Sequence, residues 1–217
     1  MISLKNKFLF VHVPKTGGNS IQNILRDYSE DKVVVLAKHQ DGVERFEVRS
    51  DKYDITKHST LSHYKAVLKP GVFRQLFKFA TIRNPWDMMI SWYFSPHRGG
   101  KEWDRDDFME LMGHVSTLRR YITYESFTEK LIRRSGLRIG FKKSLLSNID
   151  FLIRFENINE DFKLVCEKIG VLYSPLPQRN KSIRDHYSRY YDEELKEMVR
   201  TKFIEEIEYG NYEFRNA

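Results

Sequence analysis

Two short segments of this 217-residue chain contain groups suited to holding phosphate. The first is FLFVHVPKTGGNSIQNIL, residues 8–25, in which a polar loop separates an apolar alternating run from an apolar pattern of helical period. The loop residues are Lys15, Thr16, Gly17, Gly18, Asn19 and Ser20. Backbone N–H groups from residues 16–20 can form an anion-binding concavity at a helix N-terminus, where the lysine adds a mobile positive charge. An ordinary strand-to-helix turn would look the same, so the loop alone leaves both interpretations open.

The second segment is FKFATIRNPWDMMISWYF, residues 77–94. Arg83 follows an apolar strand, Asn84 can cap a helix, and Pro85 suits the first helical position. Ser91 lies eight residues after Arg83, close to two helical turns, so both side chains could face one anion. The alternative is that the arginine pairs with an acid such as Asp87 and the serine lies on the helix surface.

The order of residues in the first loop separates it from a nucleotide-binding Walker A loop. That motif requires G-x-x-x-x-G-K-[ST], with lysine after the last glycine, whereas Lys15 precedes both glycines. No acidic strand end suited to Mg²⁺ accompanies it. The alternative function is a P-loop kinase that acts on a small molecule. Both observations disfavour it.

Taken together, FVHVPKTGGNSI and FATIRNPWDMMISWY resemble the sulfotransferases that use 3′-phosphoadenosine 5′-phosphosulfate. The resemblance is strongest to a bacterial carbohydrate-type branch related to heparan sulfate 2-O-sulfotransferase. The late stretch IDFLIRFENINEDFKLVCEKIGV and the segment RNKSIRDHYSRYYDEEL extend it over nearly the whole chain. The resemblance implies that the first loop binds the 5′-phosphosulfate, and that Arg83 and Ser91 bind the 3′-phosphate. Asn19 stands where the family usually has threonine, and its amide can still hydrogen-bond a phosphate.

The resemblance also implies a late basic loop that closes over the nucleotide. In QRNKSIRDHY the candidates are Lys181, Ser182 and Arg184, and the alternative is a solvent-exposed basic loop. Trp86 and Trp92 could stack on adenine, although aromatic residues at that spacing more often belong to a core.

Sulfuryl transfer requires alignment of acceptor, sulfur and leaving phosphate, and neutralisation of charge on the leaving oxygen. Lys15 is the candidate for that neutralisation. A histidine suits the general base, and His58 lies between the two donor segments, where the resembling branch carries its catalytic histidine. His58 could instead cap or pack at a helix start; His63 is its first rival, and His12 is interpreted as a packed strand residue. No metal cofactor is predicted, because the chain contains no His/Cys/carboxylate cluster at ligand spacing.

Alternating strand and helix patterns position these residues. Strands are predicted at residues 7–13, 32–38 with an Asp41-Gly42 turn behind it, 77–82 and 149–158. Helices are predicted at 19–28, after Ser59 or Thr60, after Asn84, within 101–148 with breaks at RRSG and RIG, and at 159–169 before Gly170. One long helix is predicted from residue 192, with Gly210 after it. This alternation predicts a central parallel sheet covered by helices on both faces, with ligands at the carboxyl ends of its strands. Together with the resemblance it implies a P-loop-like three-layer αβα fold.

Composition bounds the remaining possibilities. The length and a hydrophobic fraction of 41% suit a single domain over residues 1–217. A net charge of +7 is compatible with nucleic acid, an anionic membrane or a phosphate-rich ligand, but the basic residues are dispersed among 30 acids, which disfavours a nucleic-acid-binding module.

The single cysteine, Cys166, forms no internal disulfide and lies on an apolar helix face. With an N-terminal apolar run too short for a signal or membrane anchor, the expected location is cytoplasmic.

The acceptor cannot be identified from side-chain patterns. Residues 99–148 are the expected acceptor-facing region, yet no motif there indicates a sugar, lipid or peptide. The resemblance favours a carbohydrate hydroxyl, on a glycan or glycolipid. Oligomeric state is left open.

Overall fold

The structure, a computed structural model, describes residues 1–36, 46–99, 101–124, 145–177 and 184–217. The strands are β1 (Ile2–Ser3), β2 (Phe8–Val11), β3 (Lys32–Val35), β4 (Phe46–Arg49), β5 (Phe77–Ile82) and β6 (Phe151–Arg154). The α-helices are α1 (Gly18–Leu25), α2 (Leu61–Val67), α3 (Pro70–Gln75), α4 (Pro85–Tyr93), α5 (Arg105–His114), α6 (Leu118–Ile122), α7 (Ile158–Ile169), α8 (Glu193–Lys202) and α9 (Ile204–Gly210). Single turns of 3₁₀ helix occur at Arg26–Tyr28, Pro96–Arg98, Leu145–Asn148, Phe155–Asn157 and Tyr187–Tyr190.

The central sheet has the order β1-β2-β5-β6. Strand β5 runs parallel to β2 on one side and to β6 on the other, while β1 is an antiparallel edge strand. The parallel strands bring their carboxyl ends to one edge of the sheet. The prediction of a central parallel sheet is confirmed, and the antiparallel edge strand is an addition to it.

Side chains of β2 alternate between the two faces of the sheet, as a strand covered on both sides requires. Phe8 and Phe10 pack with α1 and α7, whereas Leu9 and Val11 pack with α2, α3 and α6. The chain therefore has the predicted three-layer αβα fold. Cys166 lies in the core between the sheet and α7, where burial raises the pKa of its thiol to about 11.

A third core cluster lies beside the sheet, between α4, α5, α8 and α9. Here the prediction of one long C-terminal helix is wrong, because the backbone leaves helical geometry at Phe203 (φ −111°, ψ 29°), whose ring is fully buried in this cluster. Gly210, which was predicted to follow the helix, is its last residue, and Asn211 is the left-handed cap. The Tyr212 ring packs against Gly210, where a Cβ would lie 2.1 Å from it.

The strand predicted at residues 32–38 is present as β3, but it lies outside the central sheet. It pairs antiparallel with β4 in a separate two-stranded sheet. Its predicted turn at Asp41-Gly42 falls outside the described residues, as do the helix breaks predicted at RRSG and RIG. This small sheet precedes the turn that contains His58.

Several predicted helix boundaries are confirmed. The Asn84 side chain accepts a hydrogen bond from the Trp86 N–H with Pro85 at the first helical position of α4, and Thr60 caps α2 in the same way. Gly170 ends α7 in left-handed geometry, with φ of 66°. Among the described helices, none is long and apolar enough to cross a membrane.

Candidate active site

A cleft of about 830 Å³ lies at the edge of the sheet where β2, β5 and β6 end. The loop after β2, Arg83 after β5 and Phe155 after β6 all line it. The predicted site residues that line this cleft are Lys15, Gly17, Gly18, Asn19, Ser20, His58, Arg83, Ser91 and Arg184. Lys181 and Ser182 lie outside the described residues. Segments far apart in the chain thus meet at the edge that parallel-sheet topology selects for ligands.

The loop between β2 and α1 has the backbone geometry of an anion-binding concavity. Lys15 and Gly17 are both left-handed, with φ of 64° and 88°. Helix α1 begins at Gly18, where the first N–H groups have no acceptor within the helix itself, although the Ser20 N–H donates to the carbonyl oxygen of the cap residue Gly17 at 3.1 Å. A Cβ at position 17 would also lie 2.7 Å from Ile158 Cδ1 and 2.9 Å from the Phe155 ring, so both side chains would have to shift to admit it. The loop therefore presents backbone donors to the cleft.

The Thr16 side chain points away from this cleft into the core. Its hydroxyl donates to the carbonyl oxygen of Val13 at 2.7 Å and hydrogen-bonds Thr81 of β5. Only the backbone of Thr16 is thus placed to bind an anion, and the hydroxyl fastens the loop to the neighbouring strand.

The Ser20 hydroxyl also has an internal partner, since it donates to the carbonyl oxygen of Pro177 at 2.7 Å. A serine hydroxyl has one proton, so it must rotate away from Pro177 to donate to a phosphate. This contact joins the first loop to the segment before the late basic loop.

Lys15 is a mostly enclosed cation. Its Nζ donates to Ser95 Oγ at 3.2 Å. Burial, together with the positive charges of Arg83 and Arg184, lowers the pKa of Lys15 to about 8. The amine is therefore close to its titration range at neutral pH, and an anion in the cleft would stabilise its charged form.

Arg83 makes the predicted alternative contact with Asp87 and lines the cleft as well. Its Nε and Nη2 donate to Asp87 Oδ2 at 2.8 and 2.5 Å, and its Nη1 donates to the carbonyl oxygen of Lys15 at 2.9 Å. The guanidinium lies over the Phe155 ring, 3.9 Å from the centroid. Of its five N–H groups, these three bonds leave one on each Nη nitrogen for a ligand.

Asp87 joins this arginine to a second one. Its other carboxylate oxygen, Oδ1, accepts a hydrogen bond from Arg184 Nη2. Burial alone would raise the pKa of Asp87, but the two arginines outweigh burial and lower it below its usual value. The carboxylate therefore stays ionised. Ser91, one turn further along α4, is buried and also lines the cleft.

His58 lies in a turn two residues before the cap of α2. Its Nδ1 is 3.3 Å from the carbonyl oxygen of His12. A carbonyl oxygen only accepts, so Nδ1 carries the proton and Nε2 has the free lone pair that a base requires. Burial lowers the pKa of His58 despite this hydrogen bond, which keeps the ring neutral at neutral pH.

His12 is buried as predicted, and it also lines the cleft beside His58. The two rings lie 4.7 Å apart between centroids, and His12 Nδ1 is 2.8 Å from Gln22 Oε1. Burial, reinforced by His58, lowers the pKa of His12 well below its usual value. His12 ring atoms lie as close as 2.4 Å to where a Cβ at Gly18 would be, so this glycine gives the ring its space.

Of the remaining candidates, His63 and Trp86 lie outside the cleft and Trp92 lines it. His63 interacts with Ser59 through Nδ1 and does not line the cleft. Trp86 is a core residue whose Nε1 donates to the carbonyl oxygen of Lys196, whereas Trp92 lines the cleft.

Sequence reasoning missed Phe155 and Ser95. Phe155 could have been found, because it follows the third parallel strand directly and strand ends are where ligands lie. Ser95 follows the end of α4 in a stretch without a motif, and only the fold brings its hydroxyl to Lys15. Across the parts of the chain that the structure describes, no group of three or more His, Cys, Asp or Glu residues is arranged to hold a metal ion.

A glycine-containing anion loop and a buried arginine at neighbouring strand ends are the arrangement found in α/β proteins that bind phosphorylated ligands. A model of the sulfotransferase family matches residues 1–213, and the chain belongs to that family. Membership implies a transferase that moves a sulfuryl group from a sulfate donor to a hydroxyl acceptor. No match was found among curated proteins or among solved structures.

Proposed function

We propose that this protein transfers a sulfuryl group from 3′-phosphoadenosine 5′-phosphosulfate to a carbohydrate hydroxyl, on a glycan or glycolipid. The observation that carries the proposal is the meeting of Lys15, Arg83 and His58 at one cleft. These side chains come from three separate segments. Lys15 supplies a cation that can neutralise an anion, Arg83 a guanidinium that can bind phosphate, and His58 a neutral imidazole.

Lys15 and the loop around it are the proposed site for the 5′-phosphosulfate. Backbone N–H groups at the start of α1 would bind the phosphate oxygens, and the amine of Lys15 would face the leaving oxygen. Because that oxygen gains negative charge as the S–O bond breaks, the contact with Lys15 becomes stronger in the transition state than in the ground state. Such a contact lowers the barrier and does more than hold the donor.

Arg83, Ser91 and Arg184 are the proposed site for the 3′-phosphate. Arg83 has one N–H left on each Nη nitrogen, and Asp87 holds Arg184 beside it. Two guanidinium groups with one carboxylate between them leave a net positive charge for a phosphate to neutralise. Lys181 and Ser182 stay candidates for this site, on the family resemblance alone.

His58 is the proposed general base. Its Nδ1–H is held by the His12 carbonyl oxygen, which leaves Nε2 to accept the acceptor's hydroxyl proton as the oxygen attacks sulfur. The cleft volume of about 830 Å³ lies toward the upper end of ligand pockets, which supports binding of a nucleotide together with part of an acceptor.

The proposed enzyme is a single-domain cytoplasmic protein that works without a metal ion. Transfer needs no metal ion, so activity is expected to persist in a chelator. Residues 1–217 form one catalytic domain, since the cleft draws on the first loop, the middle and the C-terminal third of the chain. The location is cytoplasmic, in keeping with a single buried cysteine.

Calorimetry with adenosine 3′,5′-bisphosphate and with ATP tests the donor assignment. We expect much tighter binding of the bisphosphate, because Arg83 and Ser91 are proposed to match a 3′-phosphate. Equal or tighter binding of ATP would favour a kinase. Transfer of label from sulfate donor to a panel of glycans and lipid extracts, followed by mass spectrometry, then tests the reaction and identifies the acceptor.

A further inference from the structure

Asp87 is the only carboxylate in the described part of the cleft that hydrogen-bonds two arginines. One oxygen accepts from the Nε and Nη2 of Arg83, and the other accepts from Arg184. The two arginines lie 101 positions apart in the sequence and come from different parts of the fold. The carboxylate side chain is 21% exposed and the two guanidinium side chains about half as much, so little water competes with these contacts.

The contacts of Asp87 determine which donors of Arg83 remain for a ligand. Asp87 occupies the Nε edge, the Lys15 carbonyl oxygen occupies one N–H of Nη1, and Phe155 covers one face of the guanidinium. Without Asp87 the Arg83 guanidinium could rotate about its last side-chain torsions and present a different edge to the ligand. With Asp87 it is held ready, which lowers the ordering cost that a ligand would otherwise meet on binding.

We propose that Asp87 is a positioning residue that holds Arg83 and Arg184 as one pair, selective for a phosphomonoester such as the nucleotide 3′-phosphate. The inference rests on the proposed function, because it assigns this pair to the donor nucleotide. Asp87 itself does not touch the phosphate, since like charges would repel.

The proposal conflicts with simple electrostatics, and the conflict makes it testable. Removal of the negative charge of Asp87 makes the surroundings of the two arginines more positive, and charge alone would then increase affinity for every phosphate in the cleft. If Asp87 acts by positioning, its removal should instead weaken binding of the 3′-phosphate, because the affinity that this phosphate adds to a nucleotide depends on the orientation of both guanidinium groups. The informative quantity is therefore the ratio of affinities for adenosine 3′,5′-bisphosphate and adenosine 5′-monophosphate.

The experiment measures this ratio by calorimetry in the whole protein and in the Asp87→Asn variant, which keeps the side-chain shape and removes the charge. We expect the ratio to fall by roughly ten- to a hundredfold, the usual effect of losing well-oriented charged hydrogen bonds. Glu205→Gln is the matched control, because Glu205 also accepts two hydrogen bonds from an arginine, Arg119, and neither residue lines the cleft. Its ratio should match that of the unmodified protein.

A cycle with Arg184→Ala separates positioning from general stability. Loss of Arg184 should lower the ratio in the unmodified protein and have little further effect in Asp87→Asn. An unchanged or higher ratio in Asp87→Asn overturns the proposal, and this includes the case in which both nucleotides lose affinity equally. If the unmodified protein binds both nucleotides equally well, the donor assignment is wrong. If the unmodified protein prefers the 3′-phosphate and Asp87→Asn keeps that preference, the donor assignment stands and only the role of Asp87 is wrong.

Discussion

Arg83 Nη1 donates a hydrogen bond of 2.9 Å to the carbonyl oxygen of Lys15. This bond joins the end of β5 to the loop after β2, so the two candidate phosphate-binding segments form one connected structure. The Lys15 backbone is left-handed there, with φ of 64°, a geometry that a lysine adopts only when surrounding contacts impose it. Substitutions at either segment are therefore expected to affect both.

Replacement of Arg83 by alanine is predicted to lower donor affinity by roughly ten- to a hundredfold, because a charge-assisted contact to phosphate is lost. Turnover should fall as well, since the Lys15 carbonyl oxygen loses its partner. Arg83→Lys should rescue little, because an ammonium cannot reproduce the fork that reaches Asp87 and Lys15 together. Calorimetry and steady-state kinetics measure both effects. Arg120→Ala, at an exposed arginine, is the control and should bind donor normally.

Lys15→Ala is predicted to reduce turnover in addition to donor affinity. The reason is that the contact with the leaving phosphate strengthens as negative charge develops. Comparison of kcat with the donor KM distinguishes this role from simple binding. An increase in donor KM at unchanged kcat would show that Lys15 acts only in the ground state.

His58→Ala is predicted to lower the transfer rate by roughly 10²- to 10⁴-fold, the usual contribution of a general base. Nucleotide affinity should stay nearly intact, because the base contacts the acceptor. His58→Asn is the sharper variant, since its amide N–H can keep the bond to the His12 carbonyl oxygen while it provides no base. His63→Ala, outside the cleft, should have a much smaller effect. A folded His58→Asn protein with normal turnover would remove His58 from the mechanism.

The pH profile of kcat/KM is predicted to have two limbs. His58 acts as its neutral form, and burial lowers its pKa, so activity should fall with acidification only below pH 6.5. Lys15 acts as its cation, and its pKa is lowered to about 8, so activity should also fall as pH rises through about 8. In Lys15→Arg, whose guanidinium stays charged, the alkaline limb should disappear. An acid limb centred above pH 6.5 would indicate a different base.

Gly18→Ala is predicted to destabilise the protein by roughly 1–3 kcal/mol, the usual cost of overpacking. A Cβ at this position would lie 2.4 Å from the His12 ring, and the His12 carbonyl oxygen in turn holds His58. Activity should therefore fall together with stability. Gly113→Ala is the control, since a Cβ there meets nothing within 4 Å and helix α5 should gain roughly 0.5–1 kcal/mol. Denaturant unfolding compares the two, and similar stability changes in both variants would contradict the packing explanation.

Much of the fold follows from local sequence patterns. Asn84 and Pro85 predicted the start of α4, and Gly170 predicted the end of α7, because caps and stops depend on a few neighbouring residues. The C-terminal helix failed at Phe203 for the opposite reason. Its apolar pattern runs on without a local stop signal, and the residue at the break has its ring buried in the cluster formed by α4, α5, α8 and α9.

For the candidate site, the sequence determined the residue types at the strand ends: the glycine loop with Lys15, the arginine after β5, and histidines between them. Only the tertiary structure decided how these residues combine. The Thr16 hydroxyl turns into the core toward Thr81, Asp87 joins Arg83 to Arg184, and the His12 carbonyl oxygen sets the tautomer of His58. These contacts join residues from separate segments, and hydrogen bonds form only when donor and acceptor lie within roughly 3.5 Å of each other. Sequence patterns report the preferences of neighbouring residues, whereas the approach of distant segments depends on the packing of the whole sheet and its helices.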